Sequence, residues 1–555
     1  MHNYLKSVIA SGILLFLVYN GCSQDHPKQM DIQQNLIQID LTELTSEKYL
    51  GREAGLDGNE QAANFISKRL QQAGLLPLKQ FAESVKPEEY FQTFEITGMD
   101  PSQVKSSLSI STGDRLFTTK SGLDYHYFFN SVQRLDQKSE IVFAGYAIDA
   151  PEYDYNDFEG INIEGKVVLA FYGEPLQNDS LQFFYGIHQT HYLMEDWKAR
   201  AVADRGGNAL ILIPTPDNLE FYTRMLDRKS KQKTSVNFIL EEETAVPVIY
   251  LTADFAERWV GPWMESHFKA ENQRIREELS QQSSIKLKWH APELASAIVS
   301  LKLDYENPEV RVCRNILAMK QGTGEFDEYI LVGAHYDHEG MKDGKIFPGA
   351  DDNASGAIAN LHIALAYAGL NKKDLTKHHI IFAFWDAEEK GTLGTRYFTD
   401  QPVIPLEKIR AVFNMDMIGR DASFNFAALR QPMKDENAEN QVMLFYSAQS
   451  PGLEEFAKDA NKDTGLDLLF DPNVYFTSGS DHRSFHIKQI PVIWYFTGFH
   501  TEYTSPEDTA DKINFKKLTR ITRHIANFSY QLANNSSIPD FDRSILSAPE
   551  GAFSR

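Results

Sequence analysis

Short apolar runs dominate the second half of the chain, and each ends on a residue that carries chemistry. Tyr329 to Ala334 runs into His335, Ile380 to Trp385 runs into an acidic cluster, and Ala411 to Phe413 leads to Asp416. Helical spacing separates them, as in Asn353 to Ala368. Strands alternating with helices predict a sheet built of parallel crossovers. In such a sheet ligands collect beyond the carboxyl ends of the strands, which is where these residues stand.

Two further helices are predicted from apolar faces. Ala62, Phe65, Ile66, Leu70 and Ala73 share one, stopped by Gly74, and Leu518, Ile521, Ile525, Phe528 and Leu532 share the other. From about residue 95 to 295 the texture changes to short strands in polar surroundings. Glu140 to Ile148, Gly165 to Phe171, Asn208 to Ile213 and Val246 to Leu251 are examples, with a helical run from Trp197 to Gly207. None of them carries a catalytic cluster. The fold expected is α/β: a mixed, largely parallel sheet flanked by helices, with a smaller α/β module inserted. The expected division is a helical part at 30–94, the insert at 95–295, the main unit at 296–535 and a polar tail at 536–555.

The 555 residues and 42% hydrophobic content suffice for two cores. A formal charge of −22 argues against nucleic acid, whose phosphates reward clustered Lys and Arg. Residues 1–22 carry one Lys, an apolar run from Val8 to Tyr19, then Asn20-Gly21-Cys22. The run is an export signal, short for a membrane span. Its Gly-Cys end resembles the bacterial lipoprotein signal, which implies a lipid anchor at Cys22 and a place in the cell envelope, periplasm or outer membrane. The other cysteine, Cys313, is expected to be a buried thiol.

The chemistry lies in four motifs: His335-Tyr336-Asp337, Gly349 to Gly356 with Asp351-Asp352, Asp386-Ala387-Glu388-Glu389, and Asn414-Met415-Asp416. Imidazole and carboxylate without thiolate suit zinc better than calcium or magnesium. Each motif alone has a plainer reading, such as a helix N-cap for Asp351-Asp352 or a solvated face for Glu388-Glu389. Their joint occurrence at strand ends points to a metal centre.

In order and spacing these motifs resemble the bacterial zinc aminopeptidase family of co-catalytic dizinc exopeptidases, whose fold is shared by glutaminyl cyclase and the transferrin receptor ectodomain. The resemblance covers Gly51-Arg52-Glu53 through Gly74 and nearly all of 313–513. The middle of the chain resembles, more weakly, the protease-associated domain. By position the family implies His335 and Asp416 on a first zinc, Asp351 bridging two zincs, Glu389 on the second, Asp337 orienting His335, Glu388 as general base and Tyr503 at the oxyanion. One position departs. Thr504 stands where the family has a His ligand, and a neutral hydroxyl is a poor zinc ligand. His500, on the same stretch, is the nearest candidate to replace it. The resemblance implies a zinc-dependent aminopeptidase acting on peptide substrates. A one-metal aminoacyl cyclotransferase, or a binding module without catalysis, is the alternative. Oligomeric state and side-chain preference are not written in these motifs.

Overall fold

The computed structural model describes residues 30–78, 86–175, 190–231, 236–240, 245–280, 296–421, 438–472 and 479–542. The segment expected to be an export signal, with Cys22, and the end of the expected polar tail lie outside the described residues. Among the described residues no helix is long and apolar enough to cross a membrane.

The larger sheet has ten strands and is parallel at its centre. Strands His379–Trp385, Tyr329–His335, Ile409–Met415 and Val492–Phe496 run side by side in one direction, with His335 in register beside Trp385. Their carboxyl ends therefore open on one edge. The flanks turn antiparallel, through Glu309–Lys320 and Phe91–Met99 on one side and Gln441–Tyr446 on the other. The sheet is thus mixed as expected, with fewer parallel pairs than the alternating pattern suggested.

Successive side chains of a strand face opposite ways, so both faces of the central strands must be covered. Ile330, Val332, Ile380, Phe382 and Phe384 join one core with helices Gln34–Leu44, Asp57–Gln72, Gly356–Ala368 and Phe515–Asn534. Leu331, Ile381, Ala383 and Trp385 join the other with Phe398 and Phe485, from helices Leu393–Asp400 and His482–Ile487. Burying one such side chain contributes roughly 1.5–3 kcal/mol, so the central strands are a rigid platform for what their ends carry. Cys313 is a buried free thiol, and burial raises its pKa.

A second, eight-stranded sheet forms the other unit. Helices Glu195–Ala203 and Leu219–Lys231 cover one face, and Ala253–Ser280 covers the other. Its limits differ from the expected 95–295. Phe91–Met99 pairs along Glu309–Lys320 in the first sheet, and Asn237–Leu240 crosses back to join it. Ala297–Tyr305, placed by sequence in the main unit, lies between Val104–Thr112 and Leu135–Phe143 of the second sheet. Alternation shows that a stretch is a strand; it does not choose the partner, which here is set by long-range pairing.

Candidate metal centre

His335 is the last residue of its strand, and packing holds its imidazole from behind. Nδ1 lies 3.3 Å from the Asp337 carbonyl and 3.6 Å from Asp337 Oδ1. Nε2 points the other way, to Asp416 Oδ1 at 3.5 Å, Asp352 Oδ1 at 3.6 Å and Glu388 Oε2 at 3.9 Å. This nitrogen is buried and has no hydrogen-bond partner. The other oxygen of Asp352 faces His338 Nδ1 at 3.6 Å, and that nitrogen lies 2.7 Å from Glu389 Oε1. Two ligand groups result, His335–Asp352–Asp416 and His338–Asp352–Glu389, and they share Asp352.

The residues fit zinc. Bonds of about 2.0–2.1 Å in a tetrahedron set ligand atoms about 3.3 Å apart, close to the separations in the first group. The His338–Glu389 pair is at hydrogen-bond distance, which an ion between the two would lengthen. Nitrogen and carboxylate donors, one shared carboxylate and a buried imidazole nitrogen without a partner are the features a pair of such ions requires.

The acidic crowd explains the electrostatics. Burial, reinforced by Glu389 and Asp416, pushes Asp352 well above the ordinary carboxylate range. Glu388 rises for the same first reason, with Asp481, Asp416 and Glu389 adding to it. Burial opposes ionisation of Glu389 too, but the His338 imidazole outweighs it and holds that carboxyl at about 2. His335 is raised well above its usual value: burial would lower it, and Glu388, Asp337 and Asp416 prevail. The cluster is arranged for positive charge.

Backbone contacts fix the two glutamates. Asp337 Oδ1 accepts the Glu388 N–H at 3.0 Å, and Oδ2 accepts the Glu389 N–H at 3.2 Å. One carboxylate thus sits behind both the imidazole and the Glu pair, deepening the orienting role expected for Asp337. Asp386 anchors the same turn by accepting from Asn59 Nδ2, the Arg314 N–H and the Tyr336 hydroxyl.

Two expected ligands stand elsewhere. Asp351 is turned away from both groups: Oδ1 accepts the Gly419 N–H at 2.6 Å, and Oδ2 lies 3.5 Å from His500 Nε2. The chain between Gly349 and Ser355 is irregular, with Asp352 and Asn353 outside helical dihedrals, so neighbouring carboxylates diverge. His500 is the second correction. Its ring lies between Asp351 and Glu502 Oε2, the latter 3.3 Å from Nδ1, and Glu502 is itself held by Arg420 at 2.9 Å. Thr504 is exposed, with a left-handed φ of 50°, and takes no part in either group.

His338 stands in the second group, where an imidazole was sought from His500. Its signal was visible in His335-Tyr336-Asp337-His338, where a second imidazole follows the first by three residues just past a strand end. Asp481, buried beside the centre and pushed up to about 8 by burial and by Asp416 and Asp337, had no such signal. Tyr503 lies on the rim, 39% exposed, its ring against Phe499. Burial and the facing carboxylates Asp352 and Glu389 raise its pKa, keeping the phenol protonated.

Comparison with known proteins agrees with this geometry. Residues 315–529 match Peptidase family M28. The probable leucine aminopeptidase 2 of Aspergillus oryzae is 34% identical over 207 residues, 37% of this chain and 38% of that protein. Leucine aminopeptidase 2 of Trichophyton equinum is 32% identical over 215 residues, 37% of this chain and 39% of its own length. The chain thus spans about two fifths of these curated relatives. Among solved structures, the aminopeptidase from Aneurinibacillus sp. strain AM-1 aligns over 91% of this chain and 95% of its own, at 18% identity and a TM-score of 0.46. His335, His338, Asp352, Glu388, Glu389 and Asp416 all fall inside the segment, residues 315–529, that matches Peptidase family M28.

Proposed function

We propose that the protein is an exported zinc-dependent aminopeptidase that removes N-terminal residues from peptides, with two metals shared through Asp352. The observation that carries this reading is the pair of ligand groups meeting at one carboxylate, with Glu388 beside them. His335 and Asp416 would hold one zinc, His338 and Glu389 the other. Bound zinc lowers the pKa of water and polarises a carbonyl.

The residues of the chain supply the rest. Glu388 takes the proton of the attacking water and returns it to the leaving amine. The Tyr503 hydroxyl donates to the oxygen on which negative charge develops. The surplus of carboxylates around the centre suits a substrate's terminal ammonium group. Thr504 spoke for the binding module without catalysis; the imidazole of His338 beside Asp352 and Glu389 supports the two-metal enzyme instead.

Glu388→Gln tests the reading. It is expected to keep zinc and fold while lowering turnover of an aminoacyl p-nitroanilide by at least ~100-fold. Near-normal turnover would sink the assignment of the base. Export through the lipoprotein-like leader is part of the same proposal. Cys22→Ser is expected to move the protein from the membrane fraction to the soluble one, and an unchanged partition would refute the anchor.

A further inference from the structure

Tyr503 stands 39% exposed at the rim of the centre, its ring edge-on to Phe499 with centroids 4.9 Å apart. A donor that must meet developing charge needs a firm hold, because a misplacement of about 1 Å can cost ~10²-fold in rate. Its backbone supplies one. The Tyr503 N–H donates to the His500 carbonyl at 3.1 Å, so one tight turn carries both the phenol and the His500 imidazole.

The imidazole reaches inward. The His500 side chain is 6% exposed, and each ring nitrogen faces a carboxylate: Nε2 lies 3.5 Å from Asp351 Oδ2, and Nδ1 lies 3.3 Å from Glu502 Oε2. Asp351 is wholly buried and immediately precedes the shared ligand Asp352. Further along the loop, Asp508 grips the same turn. Its Oδ2 accepts the N–H groups of Asp351 and Asp352 at 2.9 and 3.2 Å, and its carbonyl accepts the Ala350 N–H at 3.1 Å. Arg420, close after the ligand Asp416, pairs with Glu502 at 2.9 Å and lies 3.8 Å from Asp508 Oδ1. The loop that bears Tyr503 is therefore fastened on both sides of that residue to segments that bear metal ligands.

Stability alone does not account for the strut nearest Tyr503. Both His500 nitrogens and Asp351 Oδ2 are buried without a hydrogen bond. Polar atoms buried in this way cost stability, and apolar packing would tie the loop down better. Resting on the aminopeptidase reading, we propose that His500 is a positioning residue: held between Asp351 and Glu502, it fixes the turn that aims the Tyr503 hydroxyl at the oxygen on which negative charge develops. It acts through Tyr503 and holds no metal.

A double-mutant cycle in the zinc-loaded, full-length protein tests this, with Leu-p-nitroanilide as substrate. His500→Ala is expected to lower kcat by ~10-fold or more with KM changed less than ~3-fold, the pattern of a contact made only in the transition state. In the Tyr503→Phe background the same substitution is expected to cost less than ~3-fold, because residues that act as a unit are not additive. His500→Leu, which keeps volume and loses the polar grip, carries the same expectation where the alanine variant does not fold. Calorimetry gives a reading apart from turnover: leucine phosphonic acid, a tetrahedral analogue, is expected to bind ~10-fold more weakly to the variant while leucine binds as before.

An equal loss in both backgrounds would overturn the proposal, by making His500 a general support of the fold. Full turnover in His500→Ala or in Tyr503→Phe would overturn it too, as would unchanged affinity for the phosphonic acid. Loss of zinc in His500→Ala would overturn it by making His500 a ligand. In each of these cases the unaltered protein still cleaves Leu-p-nitroanilide and the aminopeptidase reading stands. An unaltered protein that binds zinc and cleaves no aminoacyl substrate would overturn the proposal together with the reading beneath it.

Discussion

At the scale of single residues, the account turns on which of two adjacent aspartates faces the metals. Asp352 touches both ligand groups, whereas Asp351 is engaged by the Gly419 N–H and His500. Asp352→Asn is therefore expected to lower zinc content at both sites and abolish turnover, while Asp351→Asn keeps zinc and loses stability instead. Metal analysis of the two purified variants checks this, and equal zinc loss in both would contradict it. The sequence displayed the residue types of the centre and their strand-end positions, and His335, Glu389 and Asp416 stand where those positions implied. It did not show the turn that sends Asp351 and Asp352 opposite ways, because two identical side chains on an irregular segment carry no periodicity to tell them apart.

At the scale of elements, the two histidines are held differently. His335 ends a buried strand, whereas His338 depends on the leader segment around Arg52. Its N–H donates to the Arg52 carbonyl at 3.1 Å, and Glu53 bridges to it. The Arg52 guanidinium, fully buried, donates to the carbonyls of Tyr336, Pro348 and Gly349 at 2.8, 2.6 and 3.0 Å, joining the stretch that bears both histidines to the one that bears Asp352. Gly51 makes the approach possible: φ is +73°, and a Cβ there would lie 2.3 Å from the Gly340 carbonyl oxygen. Arg52→Met is expected to weaken the His338 site before the His335 site, read as loss of one zinc at low chelator concentration. Simultaneous loss of both would contradict the division of labour. The motif Gly51-Arg52-Glu53 was legible as part of a family pattern; its physical task appears only when residues nearly three hundred positions apart are brought together.

At the scale of the whole molecule, the second sheet is more than an appendage, because its helix Glu195–Ala203 walls a cavity beside Glu388. Glu195, at the start of that helix, accepts from the Tyr250 hydroxyl at 2.7 Å and pairs with Lys229. Burial opposes its ionisation, but Lys229 and Tyr250 prevail and hold it at about 2, below the 4.5 of a free glutamate. A carboxyl whose folded pKa is depressed stabilises the fold above its unfolded value, and that contribution fades as pH falls from about 4.5 through about 2. Glu195→Gln is thus expected to flatten the stability profile of this unit between those limits. An unchanged acid limb in thermal melts would contradict the pairing. The texture change from residue 95 onward announced the second unit, while its true edges were hidden, since Phe91–Met99 and Ala297–Tyr305 are both ordinary strands by pattern and differ only in their partners.

The central claim is that His338, and not His500, completes the second metal site across the shared Asp352. Zinc per chain, measured after mild dialysis on the unaltered protein, His338→Ala and His500→Ala, tests it most directly. The expected result is about two zincs in the unaltered protein and in His500→Ala, and about one in His338→Ala. One zinc in the unaltered protein, or the loss of a zinc in His500→Ala with both kept in His338→Ala, would contradict it.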